Sequence, residues 1–258
     1  VSGMLDAVYR THEVLPVAEI TMEANPEDMT PEKTLSFRQA GINRMSIGIQ
    51  SLDDGCLRFM NRAHDARQAR ESIAAVRSAG FENISADLIY GLPALTTQMW
   101  EGTLTEIFSA GIQHLSAYCL TVEGKTALAH FIRKGKAIGP DEEKCAEQYL
   151  LLTDMAQERG FLQYEISNFC KDGFVSVHNS NYWKQVNYLG IGPSAHSFNG
   201  RSRRWNDSNN ARYTRALAAG NPPPFTEEFL DAQTRFNEYL LTSLRTSWGC
   251  SRNTIRER

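Results

Sequence analysis

Glu23, Gln50 and Asp87 each stand near the C-terminal end of a short stretch in which apolar and polar residues alternate. In the first stretch Ile20, Met22 and Ala24 share one side and Thr21, Glu23 and Asn25 the other. In the second, Met45, Ile47 and Ile49 oppose Ser46, Gly48 and Gln50. In the third, Ile84, Ala86 and Leu88 oppose Ser85 and Asp87, and in a fourth Leu115, Ala117 and Cys119 oppose Ser116 and Tyr118. A period of two is that of a strand. One face is therefore apolar and suited to packing on helices, and the other is small and polar. Strands inside a parallel sheet are normally apolar on both faces. A polar face with two carboxyl groups and a carboxamide predicts an open lumen that holds a polar ligand, with Gln50 as a ligand contact. A single polar strand end is more often a solvated terminus; three on one face of successive strands point to a site.

The elements that must position these residues recur. QAGINRMSIGIQS (39–51), SAGFENISADL (78–88) and SAGIQHLSAYCL (109–120) each show a helix end, a glycine, an apolar residue and a strand. Gly41, Gly80 and Gly111 suit the left-handed conformation that closes a helix. ERGFLQYEIS (158–167), with Gly160, is a looser fourth copy. The intervening helices are amphipathic: Ala69, Ile73, Val76 and Ala79 share one face, and Trp100, Leu104, Ile107 and Phe108 another. Strand and helix alternate at roughly thirty to forty residues, as parallel βα units do. A doubly wound sheet and a barrel both fit that spacing.

The chain has 258 residues, 27 of them basic and 30 acidic, with a net charge of −3 and 41% hydrophobic content. It can bury a core, and it carries no basic footprint for nucleic acid. The short clusters GRSRRWND (200–207) and RNTIRER (252–258) are expected to be solvated surface. No apolar run is long enough to cross a bilayer, and the start is not that of a signal peptide. The five cysteines, 56, 119, 145, 170 and 250, make neither a disulfide framework nor a CxxC site. A reducing cytoplasm is the expected compartment. The chain opens inside a helix (4–10), as a fragment of a longer protein would.

Longer motifs occur in order: TMEANP (21–26), GINRMSIGIQS (41–51), NRAH (61–64), DLIYGLP (87–93), HLSAYCLTVEGKT (114–126), YEISNF (164–169), HNSNYW (178–183) and YLGIGPSAHS (188–197). Over residues 16–250 the chain resembles the radical S-adenosylmethionine (SAM) proteins related to oxygen-independent coproporphyrinogen III oxidase, in the branch of the HemW-type haem chaperones. The resemblance implies an α/β fold: a partial, open (β/α)6 barrel of radical SAM type over 1–162, N-terminally truncated and running from its third strand onward. A smaller α+β region, itself truncated, follows over 163–258. Carried over by motif, the SAM contacts are Glu23, Gln50, Arg62 and Asp87. Carboxylates can hold an amino group and ribose hydroxyls, and a guanidinium can hold a carboxylate in a bidentate pair. For Arg62 the competing expectation is a surface ion pair with its neighbours His64 and Asp65.

HNSNYW makes His178 the candidate haem-iron ligand, since imidazole is a common axial ligand. A histidine packed on Trp183 or bonded in a turn is the structural alternative, and His196 is a second candidate ligand. GIGPSAHS lacks the GxGxxG of a dinucleotide site and is expected to be a tight turn. The family's [4Fe–4S] cluster needs three cysteines in CxxxCxxC spacing. None of the five here has that spacing, so the cluster ligands are expected upstream and no metal ligand is assigned. These residues alone are not expected to cleave SAM. Cys119 is expected to be a small core residue.

After Gly160 the pattern changes. YEISNFC, VHNSNYWK and NYLGIGPSAHSF are expected to be short strands, 209–220 a helix, and 226–246 a helix capped by Thr226. The function implied is a haem chaperone that binds SAM and haem. It would pass haem to haemoproteins, membrane-bound ones included, without being transmembrane itself, and a homodimer is compatible with it. The alternative is the oxidase, in which a SAM-derived radical starts decarboxylation of propionate side chains. A degenerate barrel that binds another small molecule is the third.

Overall fold

Six helices of the N-terminal part begin on a side-chain cap. Thr30, Asp53, Asp65, Thr96, Thr126 and Asp141 each accept the backbone N–H three residues ahead, which satisfies a donor that the first turn leaves unpaired. Four helices end just before Gly41, Gly80, Gly111 and Gly160, whose φ angles are 100°, 85°, 78° and 75°. A computed structural model describes residues 1–257. It shows the helix–glycine–strand unit that the repeats predict.

The elements up to Val175 form one unit and those from Ser176 a second. The first contains α1 (Ser2–Thr11), β1 (Thr21–Ala24), α2 (Pro31–Gln39), β2 (Arg44–Gln50), α3 (Asp54–Phe59), α4 (Ala66–Ser78) and β3 (Asn83–Tyr90). It continues with α5 (Thr97–Ser109), β4 (His114–Cys119), α6 (Ala127–Arg133), α7 (Glu142–Glu158), β5 (Leu162–Glu165) and β6 (Asn168–Cys170). The sheet order is β1-β2-β3-β4-β6-β5. β1 to β4 are parallel, and β6 and β5 close the row as an antiparallel pair. The fold is α/β, with the parallel strands of a partial barrel.

Two expectations are corrected here. The looser fourth repeat does place a strand after Gly160, but β5 is not the next parallel strand, because β6 lies between it and β4. The N-terminal unit therefore runs past residue 162, since the β5–β6 hairpin is bonded into its sheet.

The alternation holds. Met45, Ile47, Ile49, Ile84, Ala86, Leu88, Leu115 and Ala117 are buried against Ile73, Val76, Trp100, Leu104 and Ile107 of α4 and α5. Cys119 departs from it and is exposed. β4 ends there.

The second unit holds α8 (Val177–Trp183), β7 (His196–Phe198), β8 (Ser202–Asn206), α9 (Asn210–Ala218), β9 (Phe225–Phe229), α10 (Ala232–Ser243) and α11 (Arg252–Glu257). Its sheet is antiparallel in the order β7-β8-β9, an α+β arrangement. Three further corrections fall here. HNSNYW lies in a helix, α8, started by Ser176, whose hydroxyl accepts from Asn179 N. Thr226 does not cap a helix but sits in β9; Asp231 caps α10. GRSRRWND is the central strand rather than bare surface: Ser202 and Asn206 are buried, and Arg203 pairs with Glu238 of α10 at 3.0 Å. GIGPSAHS does turn tightly, for a Cβ on Gly190 would stand 2.0 Å from the His196 carbonyl oxygen. Among the described residues no helix is long and apolar enough to cross a membrane.

Candidate functional site

β2 ends in an unusual way. Ser51 N–H donates to Ile49 O at 2.7 Å, closing a three-residue turn with Gln50 at φ 61°. That region is costly for a residue with a side chain. His64 holds the turn: it is buried, with Nε2 3.0 Å from Ile49 O and Nδ1 3.2 Å from Glu27 Oε2. The strained turn brings the Gln50 carboxamide back over Gly48. A Cβ on Gly48 would lie 2.8 Å from Gln50 Nε2, 3.5 Å from an Arg62 guanidinium nitrogen and 3.7 Å from Ala24 O. Gly48 is therefore a notch into which Gln50 and Arg62 converge. The Arg62 guanidinium donates to Asn25 Oδ1 at 2.6 Å, at the end of β1. The ion pair expected with Asp65 does not form, because Asp65 is engaged in the capping box of α4.

Gln50 and Arg62 both line a cleft of about 910 Å³, with Arg58, Ile89, Leu120, Phe131 and Lys136 among its other walls. Glu23 and Asp87 lie on the same sheet face, outside the residues that line this cleft. Glu23 stands in register with Ser46. The Ser46 hydroxyl lies 3.2 Å from both Asp87 carboxylate oxygens, and the Ser85 hydroxyl 3.4 Å from one of them. Burial raises the Asp87 pKa above the usual carboxylate range. Hydroxyls of Ser116 and Ser46 pull it back, the Glu23 charge adds to the rise, and Arg44 opposes it.

Beneath Asp87, the His114 ring is buried between Ser85 Oγ at 2.7 Å and Tyr164 Oη at 2.8 Å. Burial, reinforced by the Arg44 charge, lowers its pKa to about 3, so it is neutral at physiological pH. The four SAM candidates thus fall into two neighbouring pairs on one face: Gln50 with Arg62, and Glu23 with Asp87.

Several residues of this face escaped residue-by-residue reading. His64 and Arg44 carry no local signal, because their partners are distant in sequence: Ile49 and Glu27 for His64, and Glu19, 3.9 Å away, for Arg44. Ser46, Ser85 and Ser116 were visible through the alternation alone.

His178 is in the second unit, exposed on α8, with its ring edge-to-face on Tyr182 at 4.9 Å. Tyr182 continues to Tyr188 at 4.7 Å and on to Phe198 at 6.0 Å. His196 is also exposed, but it is stacked on Trp205 with ring centres 5.9 Å apart.

A polar, strand-end site on parallel βα units belongs to the barrel enzymes and their relatives, and comparison with known proteins defines the class. A profile of the radical SAM superfamily matches residues 3–107. The chain is 34% identical over 242 residues to the haem chaperone HemW of Bacillus subtilis, covering 94% of this chain and 64% of that protein. It is 36% identical over 247 residues to HemW of Mycobacterium tuberculosis, covering 95% and 63%. The solved structure of coproporphyrinogen III oxidase (HemN) from Escherichia coli superposes with a TM-score of 0.80 at 19% identity, over 99% of this chain and 62% of that one; it shows the shared fold. Residues 3–107 thus match a radical SAM domain. Over nearly its whole length the chain is similar to the HemW-type proteins, and it spans less than two thirds of the length of these relatives.

The radical SAM superfamily uses SAM and a [4Fe–4S] cluster as its cofactors. The Gly48 notch and its flanking polar groups fit a small polar ligand such as SAM. The cluster does not fit these residues: among those described, no three His, Cys, Asp or Glu side chains converge on a metal position.

Proposed function

We propose that the chain is the SAM- and haem-binding part of a haem chaperone. SAM, when bound, supplies an adenosyl group on a sulfonium centre. The protein's share is to bind and orient it. Arg62, aimed by Asn25, offers a fork for the methionine carboxylate. Gln50 presents its carboxamide over the notch, and Glu23 and Asp87 offer acceptors for the amino group and ribose hydroxyls.

The observation that carries the haem reading is the exposed imidazole of His178, set on α8 beside an exposed aromatic ring. Val177, Tyr182, Val186 and Leu189 leave a largely apolar surface along the same segment, with 43–72% of each exposed. A flat macrocycle with an iron needs these two features, an imidazole and an apolar bed. The names of the HemW relatives support the same reading. Haem would be passed on to haem-binding apoproteins, membrane-embedded ones among them, from the cytoplasm; a homodimer is compatible with the proposal.

The test is a haem titration followed by Soret absorbance, beside His178→Ala and His196→Ala. Saturable binding that weakens at least tenfold in His178→Ala alone is the expected result. Binding indifferent to His178 would overturn its role. The oxidase reading has the shared fold in its support, and no feature of the site favours it.

A further inference from the structure

Cys119 and Cys145 are distant in sequence and share one spot in the fold. Cys119 ends β4, and Cys145 lies in the first turns of α7. Both sulfurs fill the space that Gly91 leaves open: a Cβ there would stand 2.5 Å from Cys145 Sγ and 3.2 Å from Cys119 Sγ. The Cys145 thiol is close enough to perturb the titration of the Cys119 thiol.

The backbone around them is held in place. Leu120 N–H donates to Tyr90 O at 2.8 Å, Gly91 N–H donates to Gln148 Oε1 at 2.8 Å, and Gln148 Nε2 donates to Leu95 O at 2.9 Å. Of the five cysteines Cys119 is the exposed one, Cys145 is half-buried, and Cys56 and Cys170 are buried. The excursion between the pair, residues 120–144, contains α6. Its residues Leu120, Thr126, Leu128, Phe131 and Lys136 form one wall of the cleft beside Gln50.

We propose that Cys119 and Cys145 are a modification site: a dithiol that small disulfides of the glutathione class oxidise reversibly to an intramolecular disulfide, tying together the two ends of the cleft wall. In the first step Cys119 sulfur attacks the small disulfide. Its S–S bond breaks, and one small thiol leaves with the electron pair and takes up the proton that Cys119 gave up. In the second step Cys145 sulfur attacks Cys119 sulfur of the mixed disulfide, and the second small thiol leaves in the same way. Two protein thiols are oxidised and one small disulfide is reduced to two thiols. Excess small thiol runs the sequence backwards. Partial desolvation of its sulfur, helped by the neighbouring Cys145 thiol, pushes the Cys119 thiol up to about 12. The pair is therefore stored as thiols, and exchange is slow.

The experiment treats the full chain with oxidised glutathione, counts thiols after unfolding, and maps unreduced peptides. The expected result is a loss of two of the five thiols, one Cys119–Cys145 cross-link, and its reversal by reduced glutathione. Cys119→Ser and Cys145→Ser should each give no cross-link, while Cys56→Ser should cross-link as the parent does. Adducts that stay on Cys119 without a cross-link, a cross-link elsewhere, or five unchanged thiols would each overturn the proposal. Hydrogen exchange supplies the second reading. Amides in 120–144 should slow several-fold on oxidation, and unchanged rates would overturn the tie to the cleft wall.

Discussion

Two residues of β2 separate binding from stability. Gly48 has ordinary backbone angles and serves by lacking a side chain. In Gly48→Ala the new methyl would sit 2.8 Å from Gln50 Nε2 and push that flexible carboxamide aside. Calorimetry should show SAM binding weakened about tenfold or more. The melting temperature should hold or rise slightly, since replacing glycine at a compatible backbone position stabilises by about 0.4–1 kcal/mol. Gln50→Gly should act differently. It removes a left-handed residue with a side chain, φ 61°, and so relieves strain of about 1 kcal/mol. Denaturant midpoints should be no lower than the parent's, while SAM affinity falls. A clear loss of stability in either variant would mean that these residues serve packing. The polar identity of this face was legible from alternation. The left-handed turn at Gln50 was not, because it depends on His64 reaching Ile49 O from the far side of α3.

At the level of elements, the glycine helix stops were the parts most legible in sequence, since they act within a few residues, whereas the one cap read there, Thr226, lies in a strand. The capping box of α4, in which the Asp65 side chain accepts from Gln68 N and the Gln68 side chain accepts from Asp65 N, is as local and was not read. Asp65→Ala should cost about 1 kcal/mol in urea denaturation, and a change near zero would show that tertiary contacts alone hold the helix start. Elements fixed by distant partners were the ones missed. α8 is short, and its Asn- and aromatic-rich sequence has no helical preference of its own. What begins it is Ser176, a cap hidden among other polar residues. In 226–246 the apolar spacing ran helical throughout. The first part is nevertheless pulled into the sheet, where Thr226 pairs with Trp205 and Glu228 with Arg203. The hand of the β5–β6 pair was hidden for the same reason, because strand direction is a property of the partner.

Across the molecule, the N-terminal unit depends on helices sealing one face of the sheet. Trp100 is 1% exposed and donates from Nε1 to Gln148 O at 3.0 Å, joining α5 to α7. Trp100→Ala should cost about 3–5 kcal/mol, readable as a fall in the denaturant midpoint. The opposite face sets a pH dependence. His114 titrates at about 3 in the fold and near 6.5 when unfolded, so the unfolded chain binds more protons between these values. Its contribution to stability is complete above pH 6.5 and is lost as pH falls towards 3, at up to about 1.4 kcal/mol per pH unit. Urea midpoints should drop on acidification through this window, and His114→Gln should flatten that part of the curve. An unchanged slope would mean that the ring is not buried as described.

The hydroxyls around Asp87 behave as a small internal solvent. Ser46, Ser85 and Ser116 can donate to the carboxylate or turn to accept from the acid. Its protonation can therefore change without any heavy atom moving. A cationic ligand group settling beside Asp87 would favour the charged form and expel whatever proton the free site holds. Binding enthalpies measured in buffers of different ionisation heat would then diverge at mildly acidic pH and converge as pH rises. Asp87→Asn would remove the divergence, so the heat of the buffer would report the charge of a single buried side chain.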